Sequence, residues 1–250
     1  MNYIDFHTHL DWYDQVELFN QLKTFSGTIV AASVDRESYS KNLVIAEKTK
    51  ALGYSVNIIP TVGIHPEKVI AASEDLSAYD KLCMSSPIIG EIGMDFCWYK
   101  DAGPEKQEKV FRYFLEHCNQ QEKYCVIHTK DAEVQIARIL EDYPKAKPII
   151  HWYDGPEEIF QEFCKRKYMQ TFGCETRRSK HIQKLLLQTP KDLILAETDN
   201  PTSEPWLGGT DNSVNLIKRV YSDIAKVLEI TTEEVEKLIK NNSEKIFKSL

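Results

Sequence analysis

The 250-residue sequence has no long apolar run and no basic, apolar leader at its start. Crossing a bilayer takes about 20 consecutive apolar residues, so no transmembrane segment and no membrane partner are expected. A secretory signal would need a positively charged head followed by an apolar stretch. These absences predict a cytoplasmic protein, and nothing in the sequence indicates an obligate protein partner.

Paired cysteines and an excess of positive charge are also missing. The six cysteines include no C-x-x-C pair, which fits neither a thiolate zinc site nor a small disulfide scaffold. Reduced thiols are therefore expected. The formal net charge of −7 gives no long-range attraction for a polyanion, so a nucleic-acid substrate would need local cations or bound metal.

Short β-branched or apolar runs alternate with segments of helical period along the whole chain. Most runs are continuously apolar, which is typical of parallel strands covered on both faces. No internal repeat or Pro/Gly/Ser linker divides them, so residues 1–250 are expected to form one domain. The predicted strands are Tyr3–His7, Thr28–Val34, Ser55–Val62, Ile88–Met94, Cys125–His128, Pro148–Trp152, Tyr168–Phe172 and Leu193–Glu197.

Prolines, apolar stripes and a capping motif place several helices. Pro104 and Pro156 are expected near helix starts. A further helix is predicted to bury a stripe that includes Val134. Thr231 and Glu234 form the ends of a capping box that opens a helix near the end of the chain.

Eight strands alternating with helices over about 250 residues is the typical size of a (β/α)8 barrel. A doubly wound open sheet is the alternative, but no Gly-rich fingerprint follows the first strand. We therefore predict an α/β fold of the TIM-barrel type, regular or somewhat distorted. Catalytic groups in such barrels lie where strands end and βα loops begin.

Potential metal ligands fall at those strand ends. His7 and His9 are two apart on a strand and so share a face. Glu91 lies in an apolar strand, where an unpaired carboxylate is costly, and its flanking glycines leave room beside it. Each of these residues could instead have an ordinary structural role, but all of them would need such a role at the same time. The candidate ligands for two divalent ions are His7, His9, Glu91, His128, His151 and Asp199.

Five motifs together resemble the TatD-like metal-dependent hydrolases (TatD DNase family) over essentially the full length. The resemblance implies a TIM-barrel-like fold, a two-metal site and hydrolysis of phosphodiesters, commonly of DNA with an exonuclease preference. The motifs are Asp5-Phe6-His7-Thr8-His9-Leu10, Gly63-Ile64-His65-Pro66, Ile89-Gly90-Glu91-Ile92-Gly93-Met94-Asp95, His128-Thr129-Lys130-Asp131-Ala132 and Glu197-Thr198-Asp199.

The resemblance also implies a role for each matched residue. It assigns one metal to His7, His9 and Asp199, and the second metal to His128 and His151, with Glu91 bridging them. It places His65 beside the substrate phosphate.

Three departures from the family pattern alter the groove and none removes a ligand. The run His151-Trp152-Tyr153-Asp154-Gly155 stands where His-Cys-Phe-Thr/Ser-Gly is usual, and Asn200-Pro201-Thr202-Ser203 replaces Ala-Pro-Tyr-Leu. Lys130 stands where arginine is commoner. The sequence therefore defines the chemistry more closely than the substrate.

Two ions about 3.5–4 Å apart can share a hydroxide and clamp both reacting oxygens of a phosphodiester. We expect Glu91 and this hydroxide to bridge the ions, and Asp199 to orient the water and take its proton. His65 and Lys130 are expected to neutralise the phosphate. Zinc, magnesium and manganese all stay open as the metal.

The four tryptophans, Trp12, Trp98, Trp152 and Trp206, all follow ligand-bearing strands. They either plug the barrel mouth or stack on nucleic-acid bases. The second reading makes Trp98 and Trp152 substrate-binding residues for DNA, in particular single-stranded DNA. Three cations after strand seven are either a solvated cluster or further phosphate contacts: Arg177, Arg178 and Lys180.

Related enzyme classes fit less well. Amidohydrolases of the wider superfamily bridge their metals with a carboxylated lysine from strand four, where this chain has Glu91. PHP-type phosphoesterases carry a late Asp-x-His that does not follow strand eight here. Another ester, such as D-aminoacyl-tRNA, stays open as a substrate, and a non-catalytic nucleic-acid-binding barrel predicts missing ligands.

Overall fold

Eight parallel strands form a nearly closed barrel in which each strand pairs with the next one in the chain. The computed structural model describes residues 2–72 and 75–250. The predicted (β/α)8 barrel and all eight predicted strands are confirmed, with ends that differ by a few residues. The strands are β1 (Tyr3–Thr8), β2 (Gly27–Ala31), β3 (Val56–Val62), β4 (Ile88–Asp95), β5 (Tyr124–Lys130), β6 (Lys147–Ile150), β7 (Met169–Phe172) and β8 (Ile194–Ala196).

Helices separate the strands and continue after the last one. No helix within the described ranges is long and apolar enough to cross a membrane. The α-helices there are α1 (Gln15–Leu22), α2 (Arg36–Ala51), α3 (Asp80–Ser85), α4 (Pro104–Gln121), α5 (Glu133–Ile139), α6 (Glu157–Lys165), α7 (Lys180–Gln188), α8 (Ser203–Trp206), α9 (Ile217–Leu228) and α10 (Thr232–Phe247).

Three predicted helix starts are confirmed and one predicted core position is wrong. Pro104 begins α4, Pro156 immediately precedes α6, and Thr231 caps α10 through the predicted box with Glu234. Val134, expected in a buried stripe, is 46 % exposed. It lies about 200° around α5 from the buried Ile136, so the helix turns it towards solvent.

The last two helices, α9 and α10, pack against β1, the strand that carries His7. The Tyr221 hydroxyl of α9 accepts a hydrogen bond from the Ile4 backbone N–H at 2.9 Å, and the Phe247 ring of α10 stacks on Phe6 at a centroid distance of 5.6 Å. These residues are largely buried, so β1 is fixed between the barrel and the C-terminal helices.

Backbone hydrogen bonds beyond the strand ends join β8 to β1. The Asp199 N–H donates to the His7 carbonyl at 2.8 Å, and the His9 N–H donates to the Asn200 carbonyl at 2.9 Å. The first and last strands therefore meet at residues that the sequence predicts to bind metal.

Two glycines of β4 let β5 approach closely. A Cβ at Gly93 would lie 2.1 Å from the His128 carbonyl oxygen, and one at Gly90 would lie 2.9 Å from the Val126 Cβ. The space beside Glu91 is therefore filled by neighbouring backbone, which corrects the expectation that the glycines leave room there. This close approach places the Glu91 and His128 side chains side by side.

Gly93→Ala should destabilise the barrel by at least roughly 1–3 kcal/mol, the cost of a strained backbone conformation alone, because φ is 150° and β5 blocks the added methyl. Gly53→Ala is the matched control, since Gly53 also has a positive φ (68°) but nothing lies within 4 Å of its added Cβ. Urea unfolding measures both free energies. Equal losses in the two variants would contradict the close contact between β4 and β5.

Candidate metal centre

The ends of β1 and β8 and the middle of β4 bring four potential metal-binding atoms together. His7 Nε2 lies 3.3 Å from His9 Nε2, and Glu91 Oε2 lies 3.2 and 3.6 Å from these two atoms. Asp199 Oδ1 is 3.5 Å from His7 Nε2 and 3.2 Å from His9 Nε2. We call these four side chains the first donor group.

The other oxygen of Glu91 meets three further imidazoles. Its Oε1 lies 3.0 Å from His128 Nδ1, 3.3 Å from His151 Nε2 and 3.4 Å from His65 Nε2. His65 Nε2 is in turn 3.2 Å from His128 Nδ1. These side chains form the second donor group, so all six predicted ligands converge, and His65 joins them.

The spacing within both groups fits a bound divalent cation. Two ligand atoms that hold one zinc ion at 2.0–2.1 Å with tetrahedral angles lie about 3.3–3.4 Å apart. The donor-atom distances given above run from 3.0 to 3.6 Å, and three overlapping trios each have all their donor atoms within 4.8 Å of one another: His7–His9–Asp199, His7–Glu91–His151 and His65–Glu91–His128. The donors are imidazole nitrogens and carboxylate oxygens, which zinc, manganese and magnesium accept to different degrees. The residues present therefore suit a metal.

Two buried carboxylates each contact the other ring nitrogen of an imidazole in the second donor group. Asp95 Oδ2 lies 2.9 Å from His128 Nε2, and Glu197 Oε2 lies 3.0 Å from His151 Nδ1. Histidines that bind metal almost always donate their other N–H to such a group. Asp95 and Glu197 lie within the sequence motifs, but no role is predicted for either from the sequence. Each is an acidic residue at the end of a predicted apolar strand, and this pattern could have identified both.

Opposing charges set the protonation of the centre. Burial raises the pKa of Glu91, but the imidazoles of His65, His7 and His151 outweigh it and hold the pKa well below its usual range. Burial lowers the pKa of His151, yet Glu197 and Glu91 raise it well above its ordinary value. Burial dominates for His65 and lowers its pKa to about 3. At neutral pH Glu91 is therefore ionised and His65 is neutral.

A cavity of about 480 Å³ opens over the donor groups and is walled by all four tryptophans. Trp206 makes edge-to-face contacts with Trp98 and Trp152, at ring-centroid distances of 5.7 and 6.0 Å. Trp12 stacks on His9 at 3.9 Å. Trp98 and Trp206 are 50 % and 62 % exposed, so these indoles line the cavity and also face solvent.

Lys130 lies in the cavity wall between two of these indoles. Its Nζ is 5.4 Å from the Trp98 ring centroid and 5.7 Å from that of Trp152. The same ammonium lies 2.7 Å from Asp154 Oδ1. Asp154 therefore offsets part of the charge that the sequence assigned to phosphate binding.

The cations after β7 neutralise a buried carboxylate of the chain itself. Arg178 donates to both oxygens of Glu204 at 2.8 Å, and Arg177 reaches the same carboxylate at 3.2 Å. Glu204 is buried in α8. Lys180 instead donates to the Gln183 side chain at 3.1 Å. Arg177 and Arg178, 36 % and 28 % exposed, are thus held by a buried carboxylate of the chain itself.

Comparison with known proteins identifies the family. The family model described as TatD related DNase matches residues 4–248, and the chain belongs to this family. It is 28 % identical over 256 residues to the uncharacterized metal-dependent hydrolase MJ1582 of Methanocaldococcus jannaschii, covering 99 % of this chain and 98 % of that protein. It is 25 % identical over 237 residues to human deoxyribonuclease TATDN3, covering 89 % and 84 %.

Solved structures agree with the fold. YJJV, a TatD homolog from Escherichia coli, has a TM-score of 0.84 at 19 % identity and covers 98 % of this chain and 97 % of its own. An uncharacterized amidohydrolase from Saccharomyces cerevisiae has a TM-score of 0.81 at 15 % identity, with 98 % and 99 % covered. The chain is thus a TatD-family metal-dependent hydrolase, as the resemblance implied.

Metal binding should release protons, since a coordinating imidazole must be neutral. Burial lowers the pKa of His151, but Glu197 and Glu91 raise it well above normal, so this imidazole is protonated in the metal-free protein. Metal affinity should therefore rise with pH between about pH 6 and 8. Calorimetry in buffers of different ionisation enthalpy counts the released protons.

Glu197→Gln is the control for this measurement. It removes a charge that raises the pKa of His151, so fewer protons should be released. An affinity independent of pH, with no proton release from the unaltered protein, would contradict the assignment of His151 to the metal.

Proposed function

We propose that this chain hydrolyses phosphodiester bonds of DNA with two divalent ions, one in each donor group. The observation that carries the proposal is that the two carboxylate oxygens of Glu91 lie in different donor groups. Its Oε2 belongs to the group of His7 and His9, and its Oε1 belongs to the group of His128 and His151. A carboxylate shared in this way is suited to bridging two ions. A human relative named deoxyribonuclease supports DNA as the substrate.

We assign the ligands to two ions as the resemblance implies. His7, His9 and Asp199 would hold one ion, and His128 and His151 the other, with Glu91 between them. When bound, the two ions supply an activated water and neutralise charge on the phosphodiester oxygens. Zinc, magnesium and manganese are the candidate metals.

Asp199 is the proposed general base. Its side chain is 17 % exposed against 2 % for Glu91, and it lines the cavity through which water reaches the centre. Burial raises the pKa of Asp199, but its hydrogen bond with His9 and the nearby imidazoles lower it below the usual value. The carboxylate is therefore ionised at neutral pH and able to accept a proton from water.

His65 and Lys130 are proposed to contact the phosphate from two sides. Catalytic zinc sites typically combine three protein ligands with one open position. His128, His151 and Glu91 would supply such a set, and the neutral His65 lies 3.2 Å from His128 Nδ1 and 3.4 Å from Glu91 Oε1. Lys130 adds a cation at the cavity wall, partly offset by Asp154.

The tryptophans favour an unpaired strand end as the substrate. We call Trp98 and Trp152 the tryptophan platform. A cavity of about 480 Å³ suits one drug-sized molecule, which is the size of a nucleotide rather than of a duplex. Stacking on an aromatic ring contributes roughly 1–3 kcal/mol per base. These features support exonuclease-like attack on single strands.

A cytoplasmic location and a single domain spanning the chain remain parts of the proposal. All six cysteines are free, which suits a reducing compartment. Hydrolysis of another ester, such as D-aminoacyl-tRNA, would use the same donor groups. Parallel assays on a single-stranded oligonucleotide and on an aminoacyl ester separate the two activities, and hydrolysis of the aminoacyl ester alone would replace DNA as the substrate.

Glu91→Gln should abolish hydrolysis, Asp199→Asn should strongly reduce it, and both should leave the fold intact. Glu91→Gln removes the charge that both donor groups share, so the metal content should fall with the rate. Asp199→Asn should lower kcat by about 10²–10⁴ in protein that retains metal, since it removes the proton acceptor. A fluorescent single-stranded oligonucleotide and elemental analysis give the rate and the metal content.

Asp192→Asn is the matched control because Asp192 is exposed and precedes β8, away from the site end of the strand. It should leave the rate and the metal content unchanged. Near-normal turnover of metal-loaded Asp199→Asn would show that Asp199 is not the base. Failure of the unaltered protein to cleave any oligonucleotide with zinc, magnesium or manganese would overturn the proposed function.

Trp98→Ala and Trp152→Ala should weaken binding of single-stranded DNA through lost stacking. Each should raise the Kd for a short oligonucleotide about tenfold, which corresponds to roughly 1.4 kcal/mol of base stacking. An oligonucleotide of the same length with abasic terminal positions is the control, because it keeps the phosphates and lacks the bases. Equal losses on both strands would count against stacking.

A further inference from the structure

The two oxygens of Asp95 serve two different parts of the site. Asp95 Oδ2 lies 2.9 Å from Nε2 of the His128 imidazole. Asp95 Oδ1 accepts the backbone N–H groups of Cys97 at 2.9 Å, Trp98 at 2.6 Å and Tyr99 at 3.2 Å. One buried carboxylate thus orients an imidazole of the second donor group and holds the loop that presents the Trp98 indole.

Glu197 repeats the arrangement on the other side of the cavity. Its Oε2 lies 3.0 Å from His151 Nδ1, and its Oε1 accepts the Trp152 backbone N–H at 2.9 Å, which the Thr171 hydroxyl also accepts at 3.2 Å. Trp152 has a φ of 37°, a conformation that residues other than glycine rarely adopt and that surrounding contacts must stabilise. The Trp152 indole N–H is itself fixed by Glu175 at 2.7 Å.

The other two tryptophans are held differently. The Trp206 backbone N–H donates to the Thr202 carbonyl, and the Trp12 backbone N–H donates to the His9 carbonyl, so each bond closes a local helical turn. The two members of the tryptophan platform are therefore distinguished by their bonds to carboxylates that also contact imidazoles of the second donor group.

We propose that Asp95 and Glu197 are positioning residues that fix the metal-facing imidazoles and the tryptophan platform with the same two carboxylates. The distance between the reacting phosphate and the stacked base is then set by two buried side chains. The proposal rests on the proposed function, because it takes the donor groups as the metal centre and the platform as the base site.

Replacing the Asp95 carboxylate by an amide should separate its contact with His128 from its contacts with the loop. A carboxylate offers two acceptor oxygens, whereas an amide offers one acceptor and one NH₂ donor. If Nδ1 of His128 binds the metal beside Glu91, the proton of the neutral ring lies on Nε2 and points at Asp95. In Asp95→Asn the single oxygen should stay with the three backbone N–H groups. The NH₂ then faces His128 Nε2 and forces the proton onto Nδ1, where it blocks the metal.

Three variants should therefore give three different patterns. Asp95→Asn should lower metal affinity about 10–100-fold, as expected when the partner of a metal-bound histidine is lost, and should keep the preference for normal over abasic oligonucleotide. Trp98→Ala should keep normal metal affinity and lose the preference for normal over abasic oligonucleotide. Asp95→Ala should lower the metal affinity and also lose the base preference, because it removes both carboxylate oxygens. Metal affinity is measured by calorimetry, and oligonucleotide binding by fluorescence anisotropy of metal-free protein.

The combined variant Asp95→Ala/Trp98→Ala tests whether Asp95 acts on the base through Trp98. Its base preference should equal that of Trp98→Ala alone, since residues that act through one contact are not additive. Multiplied losses would overturn the proposal. Normal base preference in Asp95→Ala, or normal metal affinity in Asp95→Asn, would also overturn it. Gln107 bonds the Asp95 backbone at 2.7 and 2.8 Å, which should keep the loop folded in these variants.

A readout without substrate separates this proposal from the proposed function. The ¹⁵N order parameter of the Trp98 amide should fall from a rigid value of about 0.85 to below about 0.6 in Asp95→Ala and stay rigid in Asp95→Asn. The Trp206 amide is the internal control and should not change. A rigid Trp98 amide in Asp95→Ala overturns the proposal.

The two failures can be told apart. If the unaltered protein binds metal but cleaves no oligonucleotide, the proposed function fails, while metal affinity and the Trp98 amide still decide the role of Asp95. Should the Asp95 variants fail to fold by circular dichroism, Glu197→Ala with Trp152→Ala supplies the same cycle at the second carboxylate. Normal metal affinity, or a normal preference for the oligonucleotide with bases, in Glu197→Ala would then contradict the proposal.

Discussion

The structure of the site depends on one buried carboxylate, Glu91, surrounded by five imidazoles. A carboxylate that is this far removed from water is costly unless cations or hydrogen-bond donors compensate it. Here both of its oxygens lie within 3.0–3.6 Å of imidazole nitrogens. The barrel meets this requirement by placing histidines near the ends of β1, β5 and β6, around Glu91. The same requirement explains why the site suits divalent cations.

Much of this arrangement could be predicted from the sequence. The β-branched runs gave the eight strands, and the strand count placed His7, His128 and Asp199 at one end of a barrel before any geometry was known. Period-two spacing placed His7 and His9 on one face. These are local patterns, and the barrel topology converts them into neighbours in space.

Features that depend on side-chain partners across the barrel were not predictable in the same way. Asp95 and Glu197 lie 33 and 46 residues from the imidazoles that they contact, so no local pattern pairs them. Val134 was assigned to the core from helical period alone, whereas the packing of α5 turns it outward. The glycines beside Glu91 indicated free space, but the neighbouring strand occupies it.

The central claim is that two ions share Glu91, and anomalous diffraction from crystals of the metal-loaded protein tests it most directly. Data collected at the absorption edge of bound zinc or manganese should show two peaks about 3.5–4 Å apart, one beside each oxygen of Glu91. A single peak, or two peaks of which one does not contact Glu91, would contradict the shared carboxylate.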